Sequence, residues 1–199
     1  MMAQRLDKLS AELRAAKTPP LHEWHPRESL DINLRIDAAG RWHHQGSEIR
    51  RARLVKLFAS VLRLEAGRHY LITPRLKYPV TVDDAPFMAV EFRLEGAGPA
   101  QRLRFRTNVD DWVTAGRAHP LRILDAAGRV SPRIEVRAGL QAKLSGAVYY
   151  ELAEMVTPRA GDGVAAGAQN AGEENDDNES AGEILGIYSN GEFFPFGRA

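Results

Sequence analysis

The sequence predicts an α+β fold made of two similar small hairpin–helix–strand units, a duplicated motif, preceded by an N-terminal helix. Three observations predict it. Apolar residues recur at helical spacing over residues 2–16 and 49–64, and at period two over residues 30–36 and 103–107. The stretch Arg35-Ile36-Asp37-Ala38-Ala39-Gly40-Arg41 is echoed by Arg122-Ile123-Leu124-Asp125-Ala126-Ala127-Gly128-Arg129. After each turn a helix and then a strand are expected, closing on Thr73-Pro74 and Thr157-Pro158.

Met2, Leu6, Leu9 and Leu13 form one stripe of an amphipathic helix, which Thr18-Pro19-Pro20 ends because proline cannot continue it. Leu30, Ile32, Leu34 and Ile36 alternate with polar residues as a half-buried strand. Asp37–Gly40 is the turn of a hairpin that returns over Arg41–Gln45. Ile49–Leu64 reads as a helix with Leu54, Leu57, Phe58, Val61 and Leu62 on its apolar face, Ser47 as its cap and Gly67 as its stop. His69–Thr73 and Val80–Val82 read as strands. Phe87–Leu94 and Leu103–Thr107 flank a turn at Gly96–Ala100, with Arg102, Arg104 and Arg106 on one face. Leu121–Leu124 and Ile134–Arg137 flank the Asp125–Gly128 turn. Leu140–Leu144 fits one or two helical turns. Val148–Val156 fits either a continuation of that helix or a strand, and Tyr149-Tyr150 favours the strand.

Three regions follow: the N-terminal helix over 1–18, a first α+β unit over 19–86 and a second over 87–199. The second carries an acidic insertion at 158–183 with seven acids, one base and almost no large apolar side chain. Such a segment buries too little surface to offset its ordering entropy and is expected to be flexible. Residues 1–157 hold 25 bases and 18 acids, so the folding part is moderately basic. No apolar run approaches the roughly 20 residues of a membrane span, and the chain has no cysteine. Both features, with no apolar signal segment at the N-terminus, predict a soluble cytoplasmic protein.

Ordered motifs carry a resemblance. They are Pro19-Pro20 with Trp24-x-Pro26, then Asp31-Ile32-x-Leu34-x-Ile36, Gly40-x-Trp42, Gln45-Gly46-Ser47-x-Ile49-x-Arg51 and Leu54-Val55-x-Leu57-Phe58. Thr73-Pro74, Asp84-Ala85-Pro86-Phe87, Phe105-x-Thr107-Asn108, His119-Pro120 and Arg137-x-Gly139-Leu140 follow. Together these resemble the bacterial domain-of-unknown-function family 1285 over residues 19–156, with Ser189-Asn190-Gly191 and Phe193-Phe194 similar to its closing segment. The resemblance implies two similar α+β domains and a suggested role in signal transduction, with no established reaction. The chain departs from that pattern at Leu76, where the family has an acid before the lysine, and in its acidic insertion.

The sharpest chemical clue is Arg50-Arg51-x-Arg53 at a helix start. Unpaired N–H groups already make a helix N-terminus positive, so arginines there call for an acidic neighbour or a bound anion. The motif pattern adds the ligand-binding candidates Gln45, Arg51, Lys77, Thr107, Asn108, His119 and Arg137, whose cations suit an anionic small molecule in a cleft between the units. Arg51 and Arg137 are expected at equivalent places of the two units. The preferred function is therefore a non-catalytic ligand-binding or regulatory module. The alternative is a small hydrolase or transferase using Asp84 and His119 as an acid–base pair. A protein partner is the third reading, with the acidic insertion as contact. No cofactor is expected. His43 and His44 are adjacent on a strand and face opposite sides, so they do not chelate one metal. The Arg102–Arg106 face lacks interleaved aromatics for base stacking, so no nucleic acid is expected, and too few bases accompany the N-terminal stripe for a membrane surface.

Overall fold

The computed structural model describes residues 9–11, 13, 23–126, 129–159 and 183–198. The chain is mostly β, with sheets that curl into half-barrels. The first sheet contains β1 (Glu28–Ser29), β2 (Leu34–Ile36), β3 (Trp42–His44), β4 (Ser47–Glu48), β5 (Leu62–Glu65), β6 (Arg68–Ile72) and β7 (Leu76–Val82), with helix α1 (Ala52–Ser60) between β4 and β5. Its order is β4-β3-β2-β7-β6-β5, and β1 runs beside β7. The second sheet contains β8 (Phe87–Glu95), β9 (Arg102–Thr107), β10 (Trp112–Thr114), β11 (Leu121–Ala126), β12 (Arg129–Arg137) and β13 (Leu140–Leu144), in the order β10-β9-β8-β13-β12-β11. Helix α2 (Gly146–Ala153) and a small sheet of β14 (Thr157–Pro158), β15 (Ile184–Ser189) and β16 (Glu192–Arg198) complete the chain.

The two large sheets share one plan. Each joins two antiparallel meanders through a central parallel pair, β2 with β7 (Leu34 opposite Val80) and β8 with β13 (Phe87 opposite Ala142). One apolar cluster runs through both, from Leu34, Trp42 and Phe58 to Phe105, Ile134 and Leu144. Residues 9–11 and 13 are helical, and Leu9 and Leu13 are buried in that cluster. The closing hairpin is sewn to β9: the Leu103 N–H donates to Ser189 Oγ at 2.9 Å, and that hydroxyl donates to the Ala115 carbonyl at 2.7 Å.

Among the described residues, four of the hairpins close on two-residue turns. Gln45-Gly46, Ala66-Gly67, Ala138-Gly139 and Asn190-Gly191 all have positive φ at both positions, between 44° and 80°. Two such residues make the turn whose twist matches paired strands. The flanking pairs are His44 with Ser47, Glu65 with Arg68, Arg137 with Leu140 and Ser189 with Glu192.

The α+β hairpin–helix–strand duplication is overturned. What repeats is a strand order, and the first sheet alone carries a helix between its meanders among the described residues. The D-A-A-G-R echo joins unlike places: Asp37 follows the central strand β2, whereas Asp125 lies in the edge strand β11. The helix expected over Ile49–Leu64 is shorter, because the chain leaves it at Val61 and continues as β5. Leu62 and Leu64 fit a helical stripe, but the Ala66-Gly67 turn pairs them with Leu71 and His69 instead. Leu140–Leu144 is a strand that buries Leu140, Ala142 and Leu144 at period two. Residues 148–153 are helical, not extended, because Ser145 Oγ caps α2 by accepting from the Val148 N–H at 3.3 Å. Ser47 lies in β4 and caps nothing; Arg51 takes the N-cap position of α1. Most of the acidic insertion expected at 158–183, and most of the helix expected over 1–18, lie outside the described residues. Among those described, no helix is long and apolar enough to cross a membrane.

Candidate functional site

A cavity of about 200 Å³ lies where the start of α1 meets the second sheet. Gly40 and Arg41 from the β2–β3 turn, Trp42 of β3, Glu48 to Arg50 before the helix, Val55 and Lys56 of α1, and Asn108 of the β9–β10 turn line it. The sequence builds each wall locally. Asp37 holds the β2–β3 turn: its carboxylate accepts from the Ala39 N–H at 3.0 Å, the Arg41 N–H at 2.9 Å, Arg41 Nε at 2.8 Å and His43 Nε2 at 3.0 Å. Burial pushes that carboxyl up, but these hydrogen bonds outweigh burial and bring it down to about 2. Thr107 is fully buried, and its Oγ1 accepts from the Asp111 N–H at 3.1 Å, which fixes the β9–β10 turn.

Three cations line the cavity: Arg41, Arg50 and Lys56. Helix α1 starts with no side-chain cap and no acid in its first turn. Arg41 is neutralised by Asp37 and Lys56 by Asp110. Arg50 is exposed and has no ion-pair partner among the described residues. Glu48 is the one acid in the lining among the described residues. Trp42 is 1% exposed, and its indole N–H has no hydrogen-bond partner among the described residues.

The cavity sits beside the ties between the two sheets. Asn108 Nδ2 donates to the Gly40 carbonyl at 3.0 Å, while its Oδ1 accepts from the Met88 N–H at 3.1 Å. Lys56 on α1 pairs with Asp110. Arg137 donates to Asp111 Oδ2 at 3.0 Å and to the Ala59 carbonyl at 2.5 Å, with its guanidinium over the Phe87 ring.

Of the seven ligand-binding candidates, Asn108 alone lines this cavity. Gln45 is an exposed turn residue whose N–H donates to the Asn33 carbonyl at 2.9 Å. Arg51 is exposed, and its carbonyl accepts from the Leu54 and Val55 N–H groups. Thr107 and Arg137 serve as turn and clasp. Lys77 pairs with Glu65 at 2.8 Å and lies over the Tyr70 ring. That pair holds Glu65 below the usual carboxylate range. Arg51 and Arg137 are not equivalent: one precedes α1 in the first unit, and the other ends β12 in the second.

Among the described residues no hydrogen bond joins Asp84 to His119. Asp84 is held by Arg133 and by Lys143, whose Nζ is 2.6 Å from Oδ2. His119 Nδ1 contacts the Glu135 carbonyl at 3.1 Å. The arginine face of β9 is solvated and paired, with Arg104 on Glu95 and Arg106 on Glu91 and Asp110. Arg41, Glu48 and Lys56 were not among the sequence candidates, since nothing in their spacing places them around one cavity. Arg50 was legible only as part of the arginine run before the helix.

The comparisons agree with this two-sheet division. Residues 19–85 match the model described as "Domain of unknown function (DUF1285), N-terminal domain", and residues 86–196 match "Protein of unknown function (DUF1285), C-terminal domain". A crystal structure of a DUF1285 family protein from Silicibacter pomeroyi DSS-3 is 35% identical, covers 92% of this chain and 88% of its own, and superposes with a TM-score of 0.74. A DUF1285 family protein from Shewanella baltica OS155 is 31% identical over 61% of this chain and 90% of its own, with a TM-score of 0.49. No curated protein matches the chain. With both family models in register on the two sheets, the chain belongs to the DUF1285 family.

Proposed function

We propose that the protein is a non-catalytic binding module, regulatory in role, that takes a small anionic molecule at the junction of its two sheets. The observation that carries this is Arg50: a guanidinium in the cavity lining with no ion-pair partner among the described residues. It stands beside the start of α1, where the N-cap residue Arg51 makes no side-chain capping bond. Oriented N–H groups and a free guanidinium favour a phosphate or carboxylate. A cavity of about 200 Å³ accommodates a group of that size rather than a large cofactor. Glu48 in the same lining suits a ligand that also carries a hydroxyl or amino donor.

Calorimetric titration with inorganic phosphate and pyrophosphate tests the reading. Binding by the native chain and its loss in Arg50→Ala, with the thermal transition unchanged, is the expected result. Equal binding by Arg50→Ala places the anion elsewhere and removes the reading.

A further inference from the structure

We infer that anion binding in the cavity is coupled to the docking of the second sheet through an exchange of partners at Lys56. This rests on the anion-binding reading above and adds its regulation. Lys56 lines the cavity, yet its ammonium lies on Asp110 of the β9–β10 turn. Both side chains are about half exposed, at 48% and 50%, so neither is locked by packing. Asp110 does not depend on Lys56 alone. Arg106 Nη1 holds its other oxygen at 2.9 Å, and Arg106 keeps Glu91 at 2.6 Å as well. When Lys56 leaves, Asp110 therefore keeps a cation and no buried charge is stranded.

The same turn supplies Asn108 to the cavity lining, two residues before Asp110, and Asn108 binds the Gly40 carbonyl. An anion beside Arg50 attracts the Lys56 ammonium away from Asp110. The turn then loses one of its ties to α1, while Asn108 stays in contact with the occupied cavity. Anion occupancy and the Lys56–Asp110 pair exclude each other, and linkage makes the effect reciprocal. No covalent bond or proton moves.

Titration of inorganic phosphate at low ionic strength, where such charges are least screened, reads this directly. Asp110→Asn releases Lys56 and should tighten phosphate binding by about fivefold or more. Lys56→Met should weaken it by a similar factor. In the native chain, hydrogen exchange of the amides at 108–111 should accelerate on adding phosphate, and in Asp110→Asn it should not. Unchanged affinity in Asp110→Asn, with binding still dependent on Arg50, overturns the exchange and leaves the anion site standing. Absence of phosphate and pyrophosphate binding in the native chain overturns both.

Discussion

The guanidinium of Arg137, at the end of β12, donates to the backbone carbonyl of Ala59 near the C-terminal end of α1, 2.5 Å away. The last carbonyls of a helix lack internal partners, so a cation there satisfies a bond and complements the helix dipole. The other nitrogen of the same fork is on Asp111. Arg137 thus clasps the two sheets. Arg137→Ala should cost about 1.5–3 kcal/mol, as for hydrogen bonds to a charged group. Urea denaturation checks this, and unchanged stability would make the clasp ornamental.

Asp37 gives the protein an acid limit. Its carboxyl is lowered from 3.8 to about 2, so its ionised form stabilises the fold above the unfolded value. That contribution, on the order of 2 kcal/mol, is complete above about pH 4 and is lost as pH falls through about 2. In Asp37→Asn the stability curve should be flatter between those values. A mutant curve parallel to that of the native chain, measured by denaturation at stepped pH, would refute it.

Phe58 is fully buried on α1, with its ring 6.0 Å from that of Trp42. Phe58→Ala should cost roughly 3–5 kcal/mol. A loss under about 1 kcal/mol in chemical denaturation would mean that the α1 face is not part of the core.

Gly40 has φ +74°, and a Cβ there would stand 2.8 Å from Asn108 Nδ2. Gly40→Ala should destabilise by about 1–2 kcal/mol from backbone conformation alone. Because the added methyl also disturbs the Asn108 contact, combining it with Asn108→Ala should cost less than the two single losses together. Strict additivity in a double-mutant cycle would deny the contact.

Ala66 sits at φ +47° in an exposed turn, a conformation that alanine tolerates poorly. Ala66→Asn, the residue that this turn prefers, should raise stability by about 0.5–1 kcal/mol. A fall in the thermal midpoint would show that the turn does not hold this geometry in solution.

By itself the sequence determined the local patterns whose physics is short-ranged: the Asp37–Gly40 turn, the alternation of β9 and the apolar face around Phe58. Its ordered motifs also marked the family. It did not determine where α1 ends, because Val61, Leu62 and Leu64 fit both a helical stripe and a strand. Pairing across Ala66-Gly67 broke that tie. It misread 148–153 because the Tyr149-Tyr150 pair favours a strand, whereas the Ser145 side chain caps a helix there. It predicted a helical duplication because equal letters at Asp37 and Asp125 say nothing about strand order. Only the tertiary structure brought Arg50, Lys56 and Asn108 around one cavity and gave Lys77, Asp84 and Arg137 their partners. Those partners, Glu65, Arg133, Lys143, Asp111 and Ala59, are between 12 and 78 residues away in sequence. Ion pairs and clefts depend on distance in space, and spacing along the chain fixes such distances only within a turn or a hairpin.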